Sequence, residues 1–166
     1  MSLPHNEHSQ TSPLYSLAPP PQIDILLPVK ERFGPKNAGA VSGVVHDLIL
    51  ASQTPDLFHV FGHPVETPFD DVSFTPLTPH RAWFHGRNMG LAKAYLNHLD
   101  GRPDPALVEV HGRCHVAAHI SAIRSDLPIA LYLHNDPRGM KGSDSVAARQ
   151  KLIRSMAVVI CVSDYI

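Results

Sequence analysis

The chain has 166 residues, one ordinary domain or one domain with a tail. Its 14 basic and 15 acidic residues give a formal net charge of −1, which excludes a polycationic nucleic-acid binder acting through bulk charge. The longest apolar runs, such as Ile25-Leu26-Leu27 and Ala157-Val158-Val159-Ile160, fall far short of the ~20 residues a membrane helix needs. Two cysteines, Cys114 and Cys161, lie in or beside apolar stretches and read as buried, reduced thiols of a cytosolic protein. No cationic and apolar secretion signal opens the chain.

Residues 1–22 hold Pro19-Pro20-Pro21 and show no apolar periodicity, so they are expected to form a disordered, proline-rich arm. From Ile23 the pattern alternates. Ile23 to Val29 reads as a buried strand. After a loop over 30–38, Val41, Val44, Val45, Leu48 and Ile49 mark one face of a helix. Leu57 to Phe61 and Val72 to Leu77 are strand candidates, and Met89, Ala92, Tyr95, Leu96 and Leu99 form a second helical stripe. Ala106 to Val110 is a fourth strand, followed by a helix through Val116, Ala117, Ile120 and Ile123. Pro128 to Leu133 is a fifth strand. The last helix carries Val146, Arg149, Leu152, Ile153 and Met156, with Ser143 or Asp144 as its cap, and Ala157 to Val162 closes the pattern as a strand.

Strands alternating with helices at this spacing predict right-handed βαβ units and an α/β domain with a mostly parallel sheet. Ligands of such sheets bind beyond the carboxyl ends of the strands. The informative residues are therefore 30–39, 111–113, 134–139 and the Ser163-Asp164 pair. In the first group Gly34 and Gly39 allow close backbone approach, and the helix opening near Gly39 presents free N–H groups to an anion. The same glycines also suit a plain turn. No G-x-G-x-x-G or G-x-x-x-x-G-K-[ST] occurs.

His111, followed by Gly112 and Arg113, stands where a histidine can orient or deprotonate a hydroxyl. His111, His115 and His119 are spaced by four, but no carboxylate or second cysteine completes a zinc set, so no metal is expected. His134-Asn135-Asp136-Pro137-Arg138 reads either as a turn or as a pocket lining, with Arg138 facing an anion. Ser163 reads as a cap. Arg81, Arg87 and Lys93 read as a solvated helix surface, and His46, His59, His63, His80, His85 and His98 carry no assignment.

Taken in order, five pieces carry a family resemblance: Ile23 to Val29, Glu31-Arg-Phe-Gly-Pro35 with Gly39, Val108-Glu-Val-His-Gly-Arg113, Leu131-Tyr-Leu-His-Asn-Asp-Pro137, and Val159-Ile-Cys-Val-Ser163. Together, residues 23–166 resemble the N-terminal, acceptor-side domain of a family 4 glycosyltransferase of the GT-B fold, of the type that builds bacterial envelope polysaccharide or lipopolysaccharide. The resemblance implies a Rossmann-like three-layer domain. It also implies a retaining, metal-independent transfer from a nucleotide-sugar donor to a glycan or lipid-linked acceptor, with no bound cofactor and no nucleic acid. By resemblance, His111 is the catalytic position. Gly34, Gly39, Arg32 and Lys36 form the loop facing the donor diphosphate, and Arg113, His134, Asn135, Asp136 and Arg138 line the acceptor pocket. The family's C-terminal donor-binding domain, with its paired glutamates, is absent from these residues, so this chain alone is expected to be inactive. The implied location is cytoplasmic, with peripheral contact at the inner face of the membrane. The competing reading is a non-catalytic sugar- or nucleotide-binding module. A nicotinamide-dependent enzyme is disfavoured by the missing glycine fingerprint and the lack of a Tyr-x-x-x-Lys pair.

Overall fold

The computed structural model describes residues 20–79 and 86–164. Residues 1–19 of the expected arm, together with His80, Arg81, His85 and Tyr165, lie outside them. The fold is a Rossmann-like α/β domain: six parallel strands in the order β3-β2-β1-β4-β5-β6, flanked by helices. The strands are β1 (Ile23–Leu26), β2 (Phe58–Gly62), β3 (Phe74–Pro76), β4 (Leu107–His111), β5 (Ile129–Leu133) and β6 (Val158–Cys161). The helices are α1 (Ala40–Ala51), α2 (Arg87–Leu99), α3 (Cys114–Ile123) and α4 (Val146–Ser155).

Alternation along the strands sorts their side chains onto two faces. Leu26, Val108, Val110, Ile129, Leu131 and Leu133 join Leu91, Tyr95, Val116, Ile120 and Leu152 in one core under α2, α3 and α4. Ile25, Leu27 and Val60 join Phe33, Val45, Ile49 and Val72 in a second core under α1. Phe33 is fully buried and packs on Phe69 and Phe74. This anchors the 30–38 loop; burying one such ring contributes on the order of 2–3 kcal/mol.

Several expectations need correction. Ser42, not Val44, faces the core, because the first helix is rotated so that Ser42, Val45 and Ile49 point inward; Val44 and Leu48 are 45% and 52% exposed. In α4 only Leu152 is buried, and its N-cap is Ser145, whose hydroxyl accepts from the Ala148 N–H. Ser143 is buried instead and donates to the Pro137 carbonyl at 2.6 Å. Cys161 is exposed because β6 is the outer strand, while Cys114 is buried. Gln22 belongs to the folded body rather than to an arm. Its carbonyl accepts from the Ala106 N–H, and its side chain bonds His59 and Arg102. No helix among the described residues is long and apolar enough to cross a membrane.

Candidate functional site

The chain leaves β1 into α1 on one face of the sheet and leaves β4 into α3 on the other. Because β1 and β4 are neighbours, their connections diverge and open a crevice at their carboxyl ends, the place where open α/β sheets bind ligands. The sequence segments 30–39, 111–113 and 134–139 all reach this end.

Register builds the central cluster. His111 is the last residue of β4 and pairs with Tyr132 of β5, so Glu109, His111, Tyr132 and His134 share the α1 side of the sheet. The His111 ring stacks on Tyr132 at 4.7 Å with an interplanar angle of 4°. His111 Nδ1 lies 2.9 Å from His134 Nε2, and His111 Nε2 lies 3.5 Å from Glu109 Oε2. Gly112, at φ 59°, provides the turn between β4 and α3, which an L side chain would strain.

His111 Nε2 makes no hydrogen bond among the described residues, and the Glu109 carboxylate 3.5 Å away biases rather than fixes its proton. Glu109 favours an N–H on His111 Nε2 and repels a lone pair there. With its proton on Nε2, His111 can only accept at Nδ1, so His134 donates from Nε2 and keeps a bare lone pair on Nδ1. That outer nitrogen has no protein partner among the described residues. Burial, together with the neighbouring His111, holds the His134 pKa below the ordinary histidine value, although the charge of Glu31 pulls the other way. His134 is therefore a neutral acceptor at pH 7. His111, only 1% exposed, stands behind it. The residue read from the sequence as the reactive histidine is thus the buried inner member of a pair, and His134 is the one a ligand can touch. Glu109, His111 and His134 are strung in a line rather than converging. Among the described residues no three His, Cys, Asp or Glu side chains gather as a metal site.

Gly39 is the N-cap of α1, and the space beside its Cα is taken by the Glu31 carboxylate. Glu31 Oε2 accepts from the Ser42 N–H at 3.2 Å. A carboxylate from the chain itself thus occupies the helix N-terminus that the sequence offered to a diphosphate. Gly34 permits a different close approach, since a Cβ there would collide with the Thr67 carbonyl oxygen. It brings the 63–68 loop against the 30–38 loop.

Between those loops lies a polar cleft of about 550 Å³. Lys30, Arg32, Lys36 and Arg87 line it, with Glu66 as the one carboxylate. Among the described residues none of the four cations is in an ion pair. Arg87 Nη2 lies 3.1 Å from His63 Nε2, and His63 Nδ1 lies 3.2 Å from the Pro64 carbonyl, so Arg87 donates to a neutral His63 whose proton is on Nδ1.

The remaining predicted residues separate. Asp136 Oδ1 accepts from the Arg138 N–H at 2.9 Å and caps the short turn Pro137–Gly139, while its carboxylate pairs with the Arg138 guanidinium at 2.6 Å. That pair holds Asp136 below and Arg138 above their ordinary pKa values. Both serve the turn, and Arg138 is 72% exposed. Asn135 is exposed beside His134. Arg113 caps α3, donates to the Gly112 carbonyl at 2.9 Å, and keeps a buried Nε without a hydrogen-bond partner next to His111. Ser163 is exposed at the chain's last described turn.

The sequence reading gave no site role to Glu109, Glu31, His63, Lys30 or Arg87, although Lys30 and Glu31 lie in the 30–39 loop it singled out. A carboxylate two residues before His111 within a strand was a usable signal, because period-two alternation puts the two on one face. Arg87 and His63 carried none, since their partners are 24 residues apart. Neither a protein-family model nor a curated protein matches the chain.

Proposed function

We propose that this domain is the acceptor-binding half of a retaining glycosyltransferase of the GT-B type. In this reading it holds a glycan or lipid-linked acceptor for a sugar arriving on a nucleotide donor. The observation that carries the reading is the Glu109–His111–His134 line at the β1–β4 crevice, which ends in a neutral imidazole acceptor at the position where a substrate hydroxyl would lie. His134 Nδ1 would accept a hydrogen bond from a sugar hydroxyl and orient it. His111 and Glu109 act through it as positioning residues. The donor's nucleotide would be gripped by a second domain, and transfer would take place on the cytoplasmic side, at the inner face of the membrane.

The test is saturation-transfer NMR of the purified chain against a panel of neutral hexoses and short envelope oligosaccharides, with His134→Ala alongside. Saccharide binding that disappears in a folded His134→Ala variant is the expected result. Absence of saccharide binding, or binding indifferent to His134, would overturn the reading and leave a different ligand class for this crevice.

A further inference from the structure

We infer that the cleft between the 30–37 and 63–67 loops is a phosphate seat, and that the acceptor bound by this domain therefore carries a phosphate ester. The inference rests on the proposed transferase reading and adds to it the chemistry of the acceptor. Four cations, Lys30, Arg32, Lys36 and Arg87, surround about 550 Å³ with only Glu66 against them. Unpaired like charges held around one space repel each other, and a multivalent anion with several acceptor oxygens relieves that repulsion through charge-assisted hydrogen bonds.

The cleft is shaped rather than incidental. Gly34 lets the Thr67 carbonyl close one wall, and Asn37, at φ 61°, turns the other. His63 accepts from Arg87, which fixes that guanidinium while leaving its other donors for a ligand. Asn88, the next residue of α2, accepts from the Val29 N–H at 2.9 Å and ties the helix start to β1.

The cleft's position separates it from the reacting centre. Its lining comes from the ends of β1 and β2 and the start of α2, and shares no residue with the His111–His134 pair. An anion there is a second anchor at the same end of the sheet, which suits a phosphate on the acceptor rather than the bond being broken.

The test is isothermal titration of the purified chain with inorganic pyrophosphate, a hexose phosphate and UDP. Saturable pyrophosphate binding near or below ~1 mM is expected, corresponding to about −4 kcal/mol. Lys36→Gln and Arg87→Gln should each weaken it about tenfold, the loss of one charge-assisted hydrogen bond. Both side chains are exposed, so circular dichroism should be unchanged. Glu66→Gln should strengthen binding, a change of sign that misfolding cannot imitate. The hexose phosphate should bind at least as tightly as UDP. Absence of saturable binding, affinity unmoved by the cation variants, weakening in Glu66→Gln, or clear preference for UDP would each overturn the inference. None of these titrations involves His134. A failed phosphate titration therefore leaves neutral-saccharide binding at His134 standing, and a failed saccharide test leaves the anion titration readable on its own terms.

Discussion

The Glu31 carboxylate caps the first helix by accepting the Ser42 N–H at 3.2 Å, and it does so across the face of Gly39, where any Cβ would collide with it. A side chain at position 39 would therefore have to displace the end of the Glu31 side chain. Whether an external anion reaches this helix end depends on whether Glu31 moves aside.

This coupling is measurable. Glu31→Ala should cost about 1 kcal/mol through the lost cap. Gly39→Ala should be more destabilising in the parent chain, where the new methyl meets Glu31, than in the Glu31→Ala background, where only the poorer N-cap remains. Urea unfolding of the four chains would give a coupling energy above roughly 0.5 kcal/mol. Strict additivity would show that the two residues do not share this space.

The proton arrangement at the histidine pair can be read directly by nitrogen-15 NMR. In the parent chain His134 should carry its proton on Nε2 with Nδ1 bare. In Glu109→Ala the selection at His111 is lost, and both rings should become tautomer mixtures. A parent chain with His134 protonated on Nδ1 would contradict the arrangement.

Because the His134 pKa is held below the ordinary value of about 6.5, chiefly by burial, the ring stays neutral as pH falls to that value. Saccharide binding should therefore persist at pH 6.5 and decline only further into acid, as Nδ1 takes up a proton. Chemical-shift titration of His134 beside the binding curve checks that the two move together.

Beneath the sheet, the fully buried Asp24 accepts from Tyr95 at 2.7 Å and from Arg102 at 3.1 Å. Arg102→Ala leaves the carboxylate short of its counter-charge and should destabilise the fold by roughly 3 kcal/mol in chemical denaturation. Burial and the adjacent Asp24 push the Tyr95 pKa well above its ordinary value of about 10. A raised folded pKa means that the native state holds the proton more tightly than the unfolded one. The stability this contributes is whole below about pH 10 and is lost as pH climbs beyond it. Tyr95→Phe should flatten that alkaline loss, and an unchanged slope would assign it to another group.

Gly34→Ala drives a methyl into the Thr67 carbonyl oxygen and should cost about 1–3 kcal/mol, the range for overpacking. Because it displaces one wall of the basic cleft, pyrophosphate affinity should fall with it in the same preparation.

The alternation of elements was legible in the sequence because each strand and helix writes its own apolar period locally. All six strands fell at the short apolar runs that placed them, although β1 (Ile23–Leu26) and β3 (Phe74–Pro76) are shorter pieces of their expected runs. Helix faces were less legible. The stripe on α1 counted Val44 and Leu48, yet among the described residues α1 is the one helix set against its side of the sheet, so only a narrow strip carrying Ser42, Val45 and Ile49 is covered. Position relative to the sheet, which no local period records, decided that. The site divided in the same way. His111, His134 and Arg113 were singled out because they lie at or just past strand ends. Asp136 and Arg138, which follow one too, bond each other instead.

By itself, then, the sequence determined that the domain is a parallel α/β sheet, since period and turn residues are properties of neighbours along the chain. Tertiary structure alone decided which histidine faces out, that Glu109 stands behind it, and that Lys30, Arg32, Lys36 and Arg87 surround one cleft. Those relations join residues from different elements, and strand order and register, fixed by the packing of two cores against one sheet, set the distances between them.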